Sequence, residues 1–208
     1  MLGRCIGVGL FALLLISLLP AVNADDSQQS SNLLTDGVSS NGYVCDPDGC
    51  SSNDGTDWWR IYAYQGDIVS IAFSGSMNNA AWWCPGDGWE ADYSMHDETG
   101  SQVASMAKDD NNPSGTLSKT MPQAGNVFVK IKAKDSWCND GLDYTLLASI
   151  DKTARDTDED GFVDAEDDCD LIVGSSTNDR KGCIDSDSDG WSDTDSGWDV
   201  QNLSLIHI

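Results

Sequence analysis

Basic side chains are scarce in this sequence. Eleven lysines and arginines stand against 35 aspartates and glutamates, a formal net charge of -24. Nothing here could neutralise a phosphate backbone, so nucleic acid is excluded as a partner. An anionic membrane surface is disfavoured on the same ground. Histidine is rarer still, with only His96 and His207. Neither a Gly-x-Ser-x-Gly elbow nor a zinc-binding His-Glu-x-x-His pair occurs, and no His–Asp partnership can be placed near a serine. We therefore expect no catalysis from this chain. A helical period is missing from the middle of the sequence, and beyond Leu19 no apolar run is long enough to cross a bilayer.

What is present begins with an export signal. Arg4 leads into the apolar run Ile6 to Leu19, and Val22-Asn23-Ala24 supplies small residues for cleavage before Asp25. We read residues 1–24 as a secretory signal, removed together with Cys5, with no membrane insertion after cleavage. Of seven cysteines, six then remain in an oxidising compartment, which favours disulfides over free thiols or zinc. Cys45 and Cys50 end a short Cys-Asp-Pro-Asp-Gly-Cys turn, Cys169 and Cys183 flank a polar segment, and Cys84 and Cys138 are left over. Six cysteines permit about fifteen pairings, so these neighbours are a preference and not a deduction.

Residues 25–42 are Ser, Gln, Asn and Asp with little apolar content and are expected to be a flexible spacer. From 43 to 150 short alternating runs are split by Gly, Asn, Asp and Pro, the pattern of an all-β sandwich. Trp59, Ile61 and Ala63 share one face, with Trp58, Arg60, Tyr62 and Tyr64 on the other. After a Gln65-Gly66-Asp67 turn, Val69, Ile71 and Phe73 alternate with Ile68, Ser70 and Ala72. Tyr93 and Met95 alternate with Asp92, Ser94 and His96, which places His96 on the solvent face. Val127, Val129 and Ile131 oppose Phe128, Lys130 and Lys132, and a last strand runs from Tyr144 to Ala148. The adjacent pairs Trp58-Trp59 and Trp82-Trp83 should each send one indole outward unless a loop covers it. Trp58, Tyr62 and Tyr64 would then form an aromatic strip suited to a sugar or a partner protein.

Several pieces in this region, in their order and spacing, resemble the bacterial pre-peptidase C-terminal domain. They are Asp57-Trp58-Trp59-Arg60-Ile61, Gln65-Gly66-Asp67 with the strand after it, Met95-His96-Asp97 through Gly100-Ser101, Ala124-Gly125-Asn126-Val127, and Tyr144-Thr145-Leu146. The resemblance implies a small β-sandwich that accompanies secreted proteins and carries no catalytic residues.

The charge is concentrated in residues 151–199. Asp156, Asp158, Asp160, the carbonyl of Phe162, Asp164 (directly or through water) and Asp167 occupy positions 1, 3, 5, 7, 9 and 12 of a loop. That is the spacing with which a chain wraps six or more oxygens around calcium, a hard cation. Gly161 stands at position 6, where the chain must turn sharply. The intervening Thr157 and Glu159 should point away from the ion. The pattern recurs at Asp185, Asp187, Asp189, Gly190, the carbonyl of Trp191 and Asp193, with Ser196 at position 12 in place of an acid. A solvated acidic run needs neither the alternation nor the repeated glycine. Apolar flanking helices of a calmodulin-like sensor are absent.

These loops, with Asp168-Cys169 and Gly174 through Asp179-Arg180-Lys181-Gly182-Cys183 between them, resemble thrombospondin type 3 repeats. The resemblance implies calcium at both loops and a bridge between Cys169 and Cys183. The expected fold is therefore all-β: a small antiparallel β-sandwich, then an irregular, calcium-bound, disulfide-linked Asp-rich repeat segment. Residues 200–208 break the pattern, and we expect the native protein to be longer and its continuation to differ. The functional expectation is an extracellular calcium-binding structural or adhesion protein. The alternatives are the accessory region of a secreted hydrolase, or a carbohydrate-binding module. An extracellular protein or polysaccharide would be the partner.

Overall fold

The alternation read from the sequence is the alternation of the strands. A computed structural model describes residues 27–45, 55–77, 89–134 and 141–194. The signal segment, Cys50, Cys84, Cys138, Trp82-Trp83, Ser196 and residues 200–208 lie outside the described residues. Among the described residues a 3-10 turn at Gln28–Ser30 precedes nine strands: β1 (Asn32–Leu33), β2 (Ser39–Val44), β3 (Thr56–Ala63), β4 (Ile68–Met77), β5 (Glu90–His96), β6 (Gln102–Asp109), β7 (Ser114–Thr120), β8 (Gly125–Ala133) and β9 (Leu142–Asp151). They form a five-stranded sheet in the order β1-β3-β8-β5-β6 and a four-stranded sheet in the order β2-β9-β4-β7. All pairings are antiparallel except the two-residue β1, which runs parallel to β3.

The core lies between the two inner faces. Trp59, Ile61 and Ala63 of β3 meet Val127, Val129 and Ile131 of β8 and Ala91, Tyr93 and Met95 of β5, all buried. The other sheet contributes Val69, Ile71 and Phe73 from β4 and Leu142, Tyr144, Leu146 and Ala148 from β9. Phe73 ties the layers together, stacked 5.3 Å from Tyr93 and 6.0 Å from Tyr144. Two polar threads cross this core with their donors satisfied. Tyr93 Oη donates to Ile71 O at 2.5 Å, and burial pushes its phenol well above the ordinary range. Trp59 Nε1 donates to Tyr144 Oη at 2.8 Å, and that hydroxyl in turn donates to Asp57 Oδ2.

Three expectations are corrected. The polar stretch before residue 43 is not a spacer throughout, because β1 and most of β2 fall within it. Leu34 anchors it in the core, and Asp36 accepts from Ile150 N at 2.9 Å and pairs with Lys152 Nζ at 3.0 Å. These are edge strands, which need main-chain pairing more than apolar content. His96 is buried instead of facing solvent. Its ring lies 5.0 Å from that of Trp58, with Ser94 Oγ 3.0 Å from Nε2 and Gly100 O 3.1 Å from Nδ1. The cause is its place beside the central strand β8, whose outer-face neighbours cover it. Thirdly, the outer aromatic set is not a continuous open strip. Lys130 sits 5.1 Å over Trp58 and the Arg155 guanidinium 4.5 Å over Tyr64, leaving Tyr62 the exposed member at 49 %.

After Asp151 the described chain contains no further strand or helix. Carboxylates at alternate positions offer no apolar face to pair with a layer, so order there rests on other contacts. The cystine Cys169–Cys183 is one of them, as the repeat resemblance implied. Cys45 is also disulfide-bonded, to a cysteine outside the described residues.

Candidate metal centres

Both Asp-rich loops fold by hydrogen bonds from their own main chain to their own carboxylates, the local chemistry that makes Asp a turn residue. In the first, Asp156 Oδ1 accepts from Glu159 N at 2.7 Å and Oδ2 from Gly161 N at 3.0 Å. Asp158 Oδ1 accepts from Asp160 N at 3.3 Å, and Asp160 Oδ1 from Phe162 N at 2.9 Å. The second loop repeats each of these. Asp185 takes Ser188 N at 2.8 Å and Gly190 N at 2.8 Å, Asp187 takes Asp189 N at 3.3 Å, and Asp189 takes Trp191 N at 2.9 Å. Glycine is required at position 6, where φ is +102° at Gly161 and +91° at Gly190. Position 4 is also left-handed in both loops, at Glu159 and Ser188.

The winding brings side chains together in threes. One oxygen from each of Asp156, Asp158 and Asp160 lies within 4.8 Å of the others, and the same holds for Asp185, Asp187 and Asp189. In the first group Asp156 is buried and its partners half-buried; in the second the acids are more exposed. Burial first, and then the charges of Asp160, Asp167 and Asp156, hold the Asp158 carboxyl above its usual range. Asp167 is raised in the same way, by burial and then by Asp160, Asp170 and Asp156. Asp167 thus feels the charges of Asp156 and Asp160, although it is not one of the three grouped carboxylates.

The donor set fits a hard divalent cation, being oxygen throughout. Asp158 Oδ2 is buried and accepts no hydrogen bond among the described residues, which leaves an acceptor facing crowded like charge. A divalent ion would satisfy that oxygen and relieve the repulsion together. Asp156, Asp158, Asp160 and Asp167 would hold it at the first loop, and Asp185, Asp187 and Asp189 at the second.

Asp164 and Asp193, expected as position-9 ligands, lie outside these groups of three, and both accept hydrogen bonds from position 2. Both Asp164 oxygens accept from Thr157, at 2.7 Å from N and 2.7 Å from Oγ1. Asp193 takes Ser186 N at 3.2 Å and also accepts from Ser186 Oγ. Position 9 thus clasps position 2 and closes each loop. The signal was available as a Thr/Ser and Asp recurring at the same offset in both loops. Phe162 and Trp191 follow with their amides tied back to Asp160 and Asp189, and the Trp191 side chain is exposed. Glu159 is exposed, yet its Oε1 accepts from Ala124 N of the sandwich at 2.9 Å, so it does not simply face water.

Between the loops, Gly174 N donates to Asp160 Oδ2 at 3.0 Å, and Asp168 Oδ2 accepts from Lys181 N at 3.0 Å. Burial alone would raise Asp179. Hydrogen bonds from Ser192 N at 2.8 Å and Ser192 Oγ at 2.9 Å bring its carboxyl below the ordinary range instead.

No protein-family model matches the sequence, that of the thrombospondin type 3 repeat included, and no curated protein matches it. Among solved structures the chain is similar to the pre-peptidase C-terminal domain of a collagenase from Bacillus anthracis, with 15 % identity and a TM-score of 0.38, covering 58 % of this chain and 93 % of that one. It is also similar to PliG of Aeromonas hydrophila, a periplasmic inhibitor of g-type lysozyme, at 9 % identity and a TM-score of 0.37, covering 58 % and 95 %. A CBM4 structure follows at 10 % identity and a TM-score of 0.33, covering 46 % and 61 %. At identities and TM-scores this low the likeness carries no argument about this chain's function.

Proposed function

We propose that this chain is a secreted, non-catalytic structural protein whose Asp156–Asp167 and Asp185–Asp193 loops each take a calcium ion, in the manner of thrombospondin type 3 repeats. One observation carries the reading: two loops share a single hydrogen-bond framework, position by position, and each turns three carboxylates toward one point. Bound calcium would supply charge neutralisation and order to a segment whose described buried residues are Asp156, Ser176, Gly182, Cys183 and Ser192. The cystines fit an oxidising, extracytoplasmic compartment. Adhesion, or service beside a secreted hydrolase, would use the ordered segment as a spacer or platform.

Calorimetric titration of the chain without residues 1–24 tests this. Two sites are expected in the range of extracellular modules, roughly 0.1–1 mM, with magnesium weaker because it demands a tighter octahedron. Asp160→Ala should abolish one of them. A titration without heat, together with proteolysis of residues 156–194 that calcium leaves unchanged, would sink the proposal.

A further inference from the structure

The first loop is built into one end of the sandwich, whereas among the described residues the hydrogen bonds that hold the second come from the acidic segment. Three joints hold the first. Arg155 forms a two-pronged pair with Asp67 in the turn between β3 and β4, Nε to Oδ1 at 3.0 Å and Nη2 to Oδ2 at 2.8 Å, and the Asp67 carboxylate is fully buried. Tyr64 N donates to the same carboxylate at 2.9 Å, and the guanidinium lies over the Tyr64 ring. Next along the chain, Asp156 N donates to Gln65 O at 3.0 Å. That approach depends on Gly66, where a Cβ would stand 1.6 Å from Ala154 O. The third joint is Glu159 Oε1 accepting from Ala124 N, just before β8. Asp156 and Glu159 are also the two residues joined by the hydrogen bond that winds the loop. The same two residues that wind the loop thus also grip the sandwich, through different groups. The second loop, by contrast, is held by Thr177, Asn178, Asp179 and Ile184.

We propose that the first calcium ion is a structural cofactor of the sandwich itself, and that the sandwich in return pre-forms this site. The inference rests on the reading of the loops as calcium sites. Linkage makes the effect reciprocal: a site held in shape by the fold binds more tightly, and its occupancy stabilises that fold by the same factor. The two sites are then unequal. The first binds more tightly and sets the melting temperature of the sandwich. The second orders only its own segment.

The test uses the whole chain after residue 24, with calcium titration and thermal unfolding of the sandwich followed by near-ultraviolet circular dichroism. Calcium should raise the melting temperature. Asp160→Asn should remove most of that rise, and Asp189→Asn should leave most of it. Arg155→Lys keeps the charge but loses the fork, and should weaken the tighter site on the order of ten-fold while sparing the other. Should Arg155→Lys fail to fold because Asp67 is left poorly paired, Glu159→Ala breaks a separate joint and should weaken the same site by a smaller factor. If both sites fill but the melting temperature ignores calcium, or Asp160→Asn and Asp189→Asn act alike, the coupling is refuted while calcium binding stands. If no calcium binds, the reading beneath it fails as well.

Discussion

Trp58 and Trp59 are neighbours in sequence, and the fold asks opposite things of them. Trp59 is 5 % exposed, sits in the core, and donates Nε1 to Tyr144 Oη. An indole that buries about 200 Å² at about 25 cal/mol per Å² contributes up to about 5 kcal/mol. Truncations of this kind cost about 3–5 kcal/mol once partial collapse is allowed for. Trp59→Phe keeps most of the ring and forfeits the hydrogen bond, so about 1–2 kcal/mol is expected. Trp58 is half-buried on the outer face, against His96 and beneath Lys130. Its ring pair is worth about 0.5–1.5 kcal/mol and its cation contact about 0.5–1 kcal/mol. Trp58→Ala should therefore cost about 1–2.5 kcal/mol, short of the about 3–5 kcal/mol of Trp59→Ala. Urea unfolding followed by far-ultraviolet circular dichroism, in chelator and again in calcium, reads the difference from the midpoints at constant slope. Equal losses at the two positions would refute the assignment of inner and outer faces.

Replacing Cys169 and Cys183 by serine removes a constraint worth about 3 kcal/mol in the chain-entropy model, so proteolysis between residues 164 and 194 should accelerate, while the sandwich's melting temperature measured in chelator stays put. Thr157→Val deletes the hydroxyl half of the clasp on Asp164 without touching a grouped carboxylate, and calcium titration should show the first site weakened several-fold, by about 1 kcal/mol. A hydrogen bond from Lys152 holds the Asp36 carboxyl below its ordinary range, aided by Ile150 N. A depressed folded value means a stabilisation fully present above the unfolded pKa of about 3.9 and lost as pH falls through the lower folded value. Asp36→Asn should thus lower the urea midpoint at pH 7, and the gap to the parent chain should close toward pH 2–3.

Much of the sandwich was legible because strands buried on one face write a period of two. Trp59-Ile61-Ala63, Val69-Ile71-Phe73 and Val127-Val129-Ile131 declare their inner faces by residue type alone. Strands β6 and β7 stand at sheet edges, and although β7 alternates in burial its inner positions Gly115, Leu117 and Lys119 are not an apolar set. The polar edge strands β1 and β2 read as spacer for the same reason. In the acidic segment, Asp at alternate positions with a following glycine reveals the winding of each loop, since every hydrogen bond that shapes it spans a few residues. The clasp between positions 2 and 9 was equally local and went unread.

Sequence by itself therefore determined the inner faces of the sandwich, the two Asp-rich loops and the glycine at their turn, all products of short-range stereochemistry and hydrophobic pattern. Only the tertiary structure decided what lies far apart in the chain. It covered the outward His96 with Trp58, set Lys130 and Arg155 over the aromatic face, and joined Arg155 to Asp67 and Glu159 to Ala124. A paired charge and a capped amide leave no trace in local pattern, because their partners are chosen by where the sheets bring the chain together.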